Sequence, residues 1–275
     1  MIDVRNAVKQ IGGSRVLDGV SFTLAEGGMY GIIGPNGAGK STLLSLLSGV
    51  EPAGGGSVNL RGEPVKAYKR KDLARWVAVL QQEGLPATAF TVREVVGMGR
   101  YPHQNWLGHE EKDAGELIES AMRTLGLTKL AERRLSQLSG GERQRVALAK
   151  VMVQEPELIL LDEPTTYLDI GHQVQLLDAV RDWQKQKRLT AVAVFHDLNL
   201  AAQYCDRLLV LAGGKLAADG TPAEVLTEET ISRVYGTDPI VLRHPDNGAP
   251  QVLLRPRAAR KSDQTFMPLR GTADE

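Results

Sequence analysis

Three short runs of this sequence carry residues able to handle phosphate: GPNGAGKST at 34–42, LSGGERQRV at 138–146 and LILLDEPTTYLD at 158–169. The first fits the pattern G-x-x-x-x-G-K-[ST]. Its glycines, Gly34, Gly37 and Gly39, let the backbone curl closely enough for successive N–H groups to face phosphate oxygens, with Pro35, Asn36 and Ala38 between them. A helix opening near Gly39 adds the positive end of its dipole. In such a loop Lys40 can bridge β- and γ-phosphates, Ser41 can ligate Mg²⁺, and Thr42 can donate to the α-phosphate. A glycine turn that merely caps a helix is the plainer alternative. MYGII before the loop and KSTLLSLLSG after it favour the phosphate reading, because that chemistry needs a strand on one side and a helix on the other.

The third run ends a strand-like apolar stretch with two acids. Asp162, at the strand tip, can hold Mg²⁺ directly or through water. Side chains alternate along a strand, so Glu163 is expected on the other side, placed to take a proton from attacking water. A general base of this kind contributes roughly 10²–10⁴ in rate. The alternative is that both acids cap the next helix or pair with surface lysines. In the second run, Ser139, Gly140 and Gly141 precede a helix; a hydroxyl and bare glycine N–H groups can grip a γ-phosphate. An ordinary serine N-cap uses the same residues. Since the chain already carries one complete phosphate site, this second one, without a lysine of its own, is expected to complete the site of another copy.

The elements that must position these residues follow from periodicity. IDVRNAV, VSFTL and MYGII read as strands with turns at 12–13 and 27–28, SVNL and RGEPV as a strand pair, and WVAVL as a buried strand. LILLD and TAVAVF are continuous apolar runs of strand length, as in a parallel sheet covered on both faces, with a helix between them around 171–187. ERQRVALAKVMVQ puts Val146, Ala149 and Val153 on one helical face, and Pro156 ends the run. RLLVLAGGKLAADG reads as a hairpin and TPAEVL as a short helix. The fold class expected is α/β: a P-loop core with a parallel sheet, an N-terminal antiparallel β-subdomain, and a mostly helical insertion at about 84–155. One domain is expected over 2–245, followed by a poorly ordered tail from 256.

Composition bounds the function. Lysine plus arginine equal aspartate plus glutamate at 33 each, so the basic excess of a nucleic-acid binder is missing, and the run KAYKRK reads as a solvated face. The single cysteine, Cys205, rules out an intrachain disulfide and suits a reducing compartment. No stretch approaches the ~20 apolar residues that span a bilayer, and the start lacks a signal-peptide core. A soluble chain that docks onto a membrane-spanning partner is the expectation.

In order and spacing these runs resemble the ATP-binding subunit of an ABC transporter over about 2–245: GPNGAGKST resembles Walker A, LILLDE Walker B, and Leu138-Ser139-Gly140-Gly141-Glu142 the family signature, which acts in trans. The resemblance implies ATP as substrate, Mg²⁺ held by Ser41, Gln82 and Asp162, and catalysis by Glu163, His196, Gln82 and Lys40. It makes Gln82 the Q-loop glutamine, with Gln81 the alternative, Asp169 the D-loop acid that crosses a dimer interface, and His196 the switch histidine on the γ-phosphate. Where the family carries an aromatic residue to stack on adenine, this chain has Ile11, with Val16 nearby, giving apolar cover without π-stacking. FTVREVVGMGRYPH, FHDLNLAAQYCDR and DGTPAEVL are similar to importers of ferric siderophores, haem and cobalamin; there 83–108 would receive the permease, with Arg100, Tyr101 and Pro102 as candidate contacts. The implied partners are a second such subunit as a homodimer, integral-membrane permeases and, indirectly, an extracytoplasmic substrate-binding protein, at the cytoplasmic face of the membrane. A DNA-maintenance ATPase would insert a coiled coil between Walker A and the signature, and a non-catalytic copy would lack Glu163 or His196. An exporter, or an importer of another branch, remains the alternative in cargo.

Overall fold

Strand after strand of this chain is apolar at every position, and such strands must be covered on both faces. MYGII, LILL and TAVAV are buried throughout. They form β3 (Met29–Ile33), β7 (Leu158–Leu161) and β8 (Thr190–Val194) in the computed structural model, which describes residues 2–82, 85–105, 110, 114–166 and 168–255. With β6 (Val77–Leu80), β9 (Arg207–Ala212) and β10 (Lys215–Gly220) they make a six-stranded sheet in the order β10-β9-β3-β8-β7-β6. All neighbours pair parallel except β10, which folds back antiparallel on β9.

The period-two alternation of these strands divides the interior into two cores. Ile159, Leu161, Ala191 and Ala193 face one; Leu158, Leu160, Val192 and Val194 face the other. The first core is covered by helices: α3 (Val92–Gly97), α4 (Gly115–Thr124), α5 (Gly140–Val153), α6 (Ile170–Lys187) and α7 (Leu198–Tyr204) all contribute to it. The second lies between the large sheet, α1 (Lys40–Leu47) and a four-stranded antiparallel sheet in the order β2-β1-β4-β5. Those strands are β1 (Ile2–Ile11), β2 (Ser14–Leu24), β4 (Gly55–Leu60) and β5 (Glu63–Pro64). β1 and β2 run several residues beyond the apolar segments read from sequence, because each exposes its polar residues on one side and buries the alternate ones.

Within the helical part, α3 and α4 pack on α5. Two starts are fixed by reciprocal capping boxes, Thr91 with Glu94 for α3 and Ser139 with Glu142 for α5. The remaining elements are α2 (Arg70–Leu73), α8 (Pro222–Val225), α9 (Glu228–Tyr235), β11 (Pro239–Arg243) and β12 (Pro250–Leu254). The β11–β12 hairpin straddles position 245, where the sequence reading closes the domain, and β12 packs on α7, with Asn199 exchanging hydrogen bonds with Val252. The tail expected from 256 lies outside the described residues. Among the described residues no helix is long and apolar enough to cross a membrane.

The parallel pairing has one consequence for chemistry. β3, β8, β7 and β6 are consecutive neighbours with their carboxyl ends at one edge. The segments that leave those ends are 34–39, His196, Asp162-Glu163 and Gln82. Ligands of open parallel sheets bind at such edges.

Candidate active site

β3 runs directly into the glycine loop. Gly34 has φ 149°, and a Cβ there would lie 2.1 Å from the Leu211 carbonyl oxygen. Gly39, the residue before α1, has φ 97°, and its Cβ would lie 2.9 Å from the Val16 carbonyl oxygen. No other residue type fits either place, which is the physical reason for both glycines. Lys40 opens α1, 5% exposed, and its Nζ donates to the carbonyls of Gly34 at 2.9 Å and Pro35 at 3.1 Å. Burial holds its ammonium below the usual lysine range, opposed by the nearby Glu163 and Asp162 carboxylates.

One residue along, the Ser41 hydroxyl donates to Asp162 Oδ1 at 3.0 Å. Burial pushes the Asp162 carboxyl up; the Ser41 hydrogen bond works against that and the neighbouring Glu163 charge adds to it. A cation beside Asp162 would reverse this disfavour. Ser41, Asp162 and Gln82 offer only oxygen ligands, and among the described residues no group of three or more His, Cys, Asp or Glu side chains could hold a metal. That set fits Mg²⁺, which takes a few protein oxygens and completes its shell with phosphate and water. It does not fit zinc.

The two acids diverge for a reason other than strand alternation. β7 ends at Leu161, and Glu163 sits in a turn with φ +48°. This left-handed residue, not the pleat, swings Glu163 across the mouth of the sheet edge. Neither acid caps α6; Asp169 does that. Glu163 Oε2 accepts from Gln82 Nε2 at 2.5 Å and from the Thr166 hydroxyl at 3.3 Å, and Oε1 lies 2.5 Å from His196 Nε2. Its side chain is 10% exposed, whereas that of His196 is 47% exposed. The carboxylate is thus clasped from below and the imidazole looks out.

One open cavity of about 400 Å³ is lined by Val16, Asn36, Gly37, Gly39, Lys40, Ser41, Thr42, Gln82, Glu163 and His196. Residues from four strand ends therefore share one wall. Gln82 is in that lining and Gln81 is not. Ile11 does not line it: the β1–β2 turn at Gly12-Gly13 leaves Ile11 48% exposed at the end of β1, while Val16, on the returning strand, is held against Gly39. Leu138 to Glu142 and Asp169 also lie outside the lining. Ser139 is the N-cap of α5: its Oγ accepts from the Glu142 N–H at 3.2 Å, and the Glu142 carboxylate accepts from the Ser139 N–H at 2.7 Å. Hydrogen bonds from the Ser139 backbone N–H and hydroxyl hold the Glu142 carboxyl below its usual range. The Gly140 backbone stays exposed at this helix start, so the N-cap and anion-site readings coexist. Gln144, buried on α5, donates to the Pro164 carbonyl at 3.2 Å and ties this helix to the turn after Glu163.

Some participants have no sequence signal. Tyr235, at the end of α9, hydrogen-bonds the Gly34 backbone, and burial pushes its phenol up to about 12. No local pattern links positions 201 residues apart (235 minus 34). The permease-contact candidates divide. Arg100 is 8% exposed at its side chain and bonded to Glu110, to Glu155 and to the Val153 carbonyl, so it is structural and not a surface contact. Pro102 is buried too, while Tyr101 is 68% exposed.

Comparison with known proteins agrees with this geometry. A family model described as ABC transporter matches residues 17–166. The chain is 42% identical over 246 residues to an uncharacterized ABC transporter ATP-binding protein, YvrA, of Bacillus subtilis, covering 89% of this chain but only 56% of that protein's length. It is 41% identical over 244 residues to the ferric enterobactin transport ATP-binding protein FepC of Escherichia coli, covering 89% of this chain and 90% of FepC. It is 44% identical over 262 residues to the hemin import ATP-binding protein HmuV of Bradyrhizobium diazoefficiens, covering 92% and 94%. Among solved structures, an inward-facing transporter described as of metal-chelate ABC type superposes with TM-score 0.80 at 25% identity over 94% of this chain and 98% of that one.

Proposed function

Because this chain belongs to the ABC transporter family of ATP-binding subunits, we propose that it energises import of an iron chelate, ferric siderophore or haem, or of cobalamin, by binding and hydrolysing ATP at the cytoplasmic face of the membrane. The observation that carries the ATPase reading is the convergence of Lys40, Ser41, Gln82, Glu163 and His196 on one cavity. The names of FepC and HmuV, and the metal-chelate neighbour, support the cargo class.

The roles follow from position. Backbone N–H groups of 36–41 and the start of α1 receive the phosphates. Lys40, now spending its protons on the carbonyls of Gly34 and Pro35, turns them to the β- and γ-phosphates. Ser41, Asp162 and Gln82 hold Mg²⁺, which neutralises phosphate charge when bound. Val16 covers part of the nucleotide. Glu163 accepts the proton of the attacking water, and His196 donates to the γ-phosphate. Both now bond each other, so the arriving phosphate competes with Glu163 for His196 and releases one carboxylate oxygen. Gln82, as a holder of Mg²⁺, would have to give up its bond to Oε2.

Ser139, Gly140 and Gly141 stand outside this cavity yet present an outward helix start. We assign them to the γ-phosphate held by a second copy, with Asp169 at the same contact. Closing and reopening that dimer would move two permeases, which receive cargo from an external binding protein. ATP-driven association tests this reading. Light scattering should report a dimer with ATP and a monomer without it, and Ser139→Arg should abolish the dimer and the turnover together. Full hydrolysis by a strict monomer would refute it. Purified complex with its permease, assayed for cargo-stimulated turnover with ferric siderophore, haem and cobalamin, tests the substrate class; stimulation by none of the three would overturn it.

A further inference from the structure

We infer that His172 is a positioning residue of the surface offered to the second copy, locking Asp169 to the glycine start of α5; this rests on the sandwich-dimer reading above. His172 lies in the first turn of α6, three residues after Asp169, and nothing in the three phosphate-handling runs singles it out. Its ring Nδ1 lies 2.8 Å from each Asp169 oxygen, and its backbone N–H donates to Oδ1 at 2.9 Å. A serine, asparagine or bare aspartate cap would satisfy α6 with the backbone bond alone. The additional ring bond fixes the carboxylate's rotation as well as its place.

The chemistry also fixes the imidazole. Asp169 is held below its usual carboxyl range by the His172 backbone and ring, so it is an acceptor only. Nδ1 therefore carries the proton, and in the neutral ring Nε2 is left as a lone pair. The ring's other edge lies along the signature. A Cβ built on Gly141 would sit 3.8 Å from His172 Cδ2 and Cγ and 3.5 Å from Leu168 Cδ2, so the ring lies within van der Waals reach of the bare side of that glycine. The side chain of His172 is 44% exposed. One imidazole thus touches both segments assigned to the partner's nucleotide and joins them across two separate helices, α5 and α6. Beside it, Leu168 packs on Gly141, and Gln144 ties α5 to Pro164, but neither touches the Asp169 carboxylate.

This role separates from simple packing by choice of replacement. Asparagine puts an N–H donor where Nδ1 stands; leucine fills a similar volume with none. The test is ATP-driven dimerisation of the full chain in a Glu163→Gln background, read by light scattering, with binding of a fluorescent ATP analogue to the monomer measured in parallel. His172→Leu should weaken dimerisation about tenfold or more, as expected for loss of one charge-assisted hydrogen bond. Monomer affinity should be unchanged, and His172→Asn should recover most of the dimer. Equal dimerisation by the leucine variant would overturn the inference and leave the sandwich reading intact. So would an asparagine variant as weak as leucine, which would mean packing alone. If Glu163→Gln without further change fails to dimerise with ATP, the sandwich reading falls and this role with it.

Discussion

Replacing Glu163 with glutamine removes one negative charge and one proton acceptor while keeping length and shape. The native carboxylate accepts from Gln82 and Thr166 and lies against the His196 ring nitrogen. Glutamine at the same φ of +48° keeps an amide oxygen for one of the two close donors and sets an NH₂ against the other. Either neighbour can answer. The Gln82 amide can rotate to present its oxygen, or His196 can shift its proton to Nδ1. The cost to the fold is then one charge-assisted bond exchanged for a neutral one, about 1 kcal/mol, or a melting temperature within about 4 °C of the parent. Hydrolysis suffers differently, because an amide cannot take a proton from water. Loss of a general base costs about 10²–10⁴ in rate, equivalent to roughly 3–5 kcal/mol at the transition state. ATP affinity should hold, since Lys40, Ser41 and the loop are untouched. The assay is phosphate release at saturating ATP, beside equilibrium nucleotide binding and thermal melting. Turnover within tenfold of the parent, with binding and melting intact, would refute Glu163 as the base.

Asp162→Asn should raise the melting temperature of nucleotide-free protein at neutral pH while abolishing metal-dependent turnover. Burial and Glu163 raise the Asp162 pKa, so its folded carboxyl favours the proton, and the stabilising preference present at low pH is lost as pH rises from the unfolded value of 3.8 through the raised one. The gain from asparagine should therefore shrink as pH falls through that window, which scanning fluorimetry with chelator can follow. Gly34→Ala drives a Cβ to 2.1 Å from the Leu211 carbonyl oxygen and should cost about 2 kcal/mol or more, seen as a melting drop of about 4–8 °C with weaker ATP binding. Arg100→Ala leaves Glu110, nearly buried, without its cation, whereas Glu155 is open to water. A loss of about 3–5 kcal/mol in urea unfolding is expected, with ATP affinity of the surviving folded protein unchanged.

How much of this was legible in sequence depends on the range over which each signal acts. The phosphate loop was legible because its constraints are local: a glycine at 34, a glycine at 39 and a lysine at 40 each meet a requirement within a few residues. The parallel strands were legible because burial on both faces leaves no polar position to interrupt LILL or TAVAV. Strand alternation, applied one residue too far, gave the wrong cause for the divergence of Asp162 and Glu163; the turn at φ +48° lies beyond the strand and carries no residue that announces it. Arg100 entered as a candidate permease contact through the family resemblance of 83–108, and nothing near it in sequence announces the burial that Glu110 and Glu155 bring about. The β11–β12 hairpin was not read because each strand opens with proline and exposes leucines at 242, 253 and 254, so neither alternation nor a continuous apolar run stands out.

The geometry of Glu163 also bears on why turnover would wait for nucleotide and partner. Its oxygens are occupied by Gln82 and His196, the two side chains that metal and γ-phosphate would recruit. On the proposed roles, nucleotide binding would turn both side chains away from the carboxylate as it supplies the bond to be cut. Gln82 leaves β6, beside the helical part, and Gln144 of α5 holds the turn that follows Glu163. A shift of the helical part would reach Glu163 from two sides, through Gln82 and through Pro164. That is a physical route by which a permease resting on the helices could govern hydrolysis without touching the nucleotide.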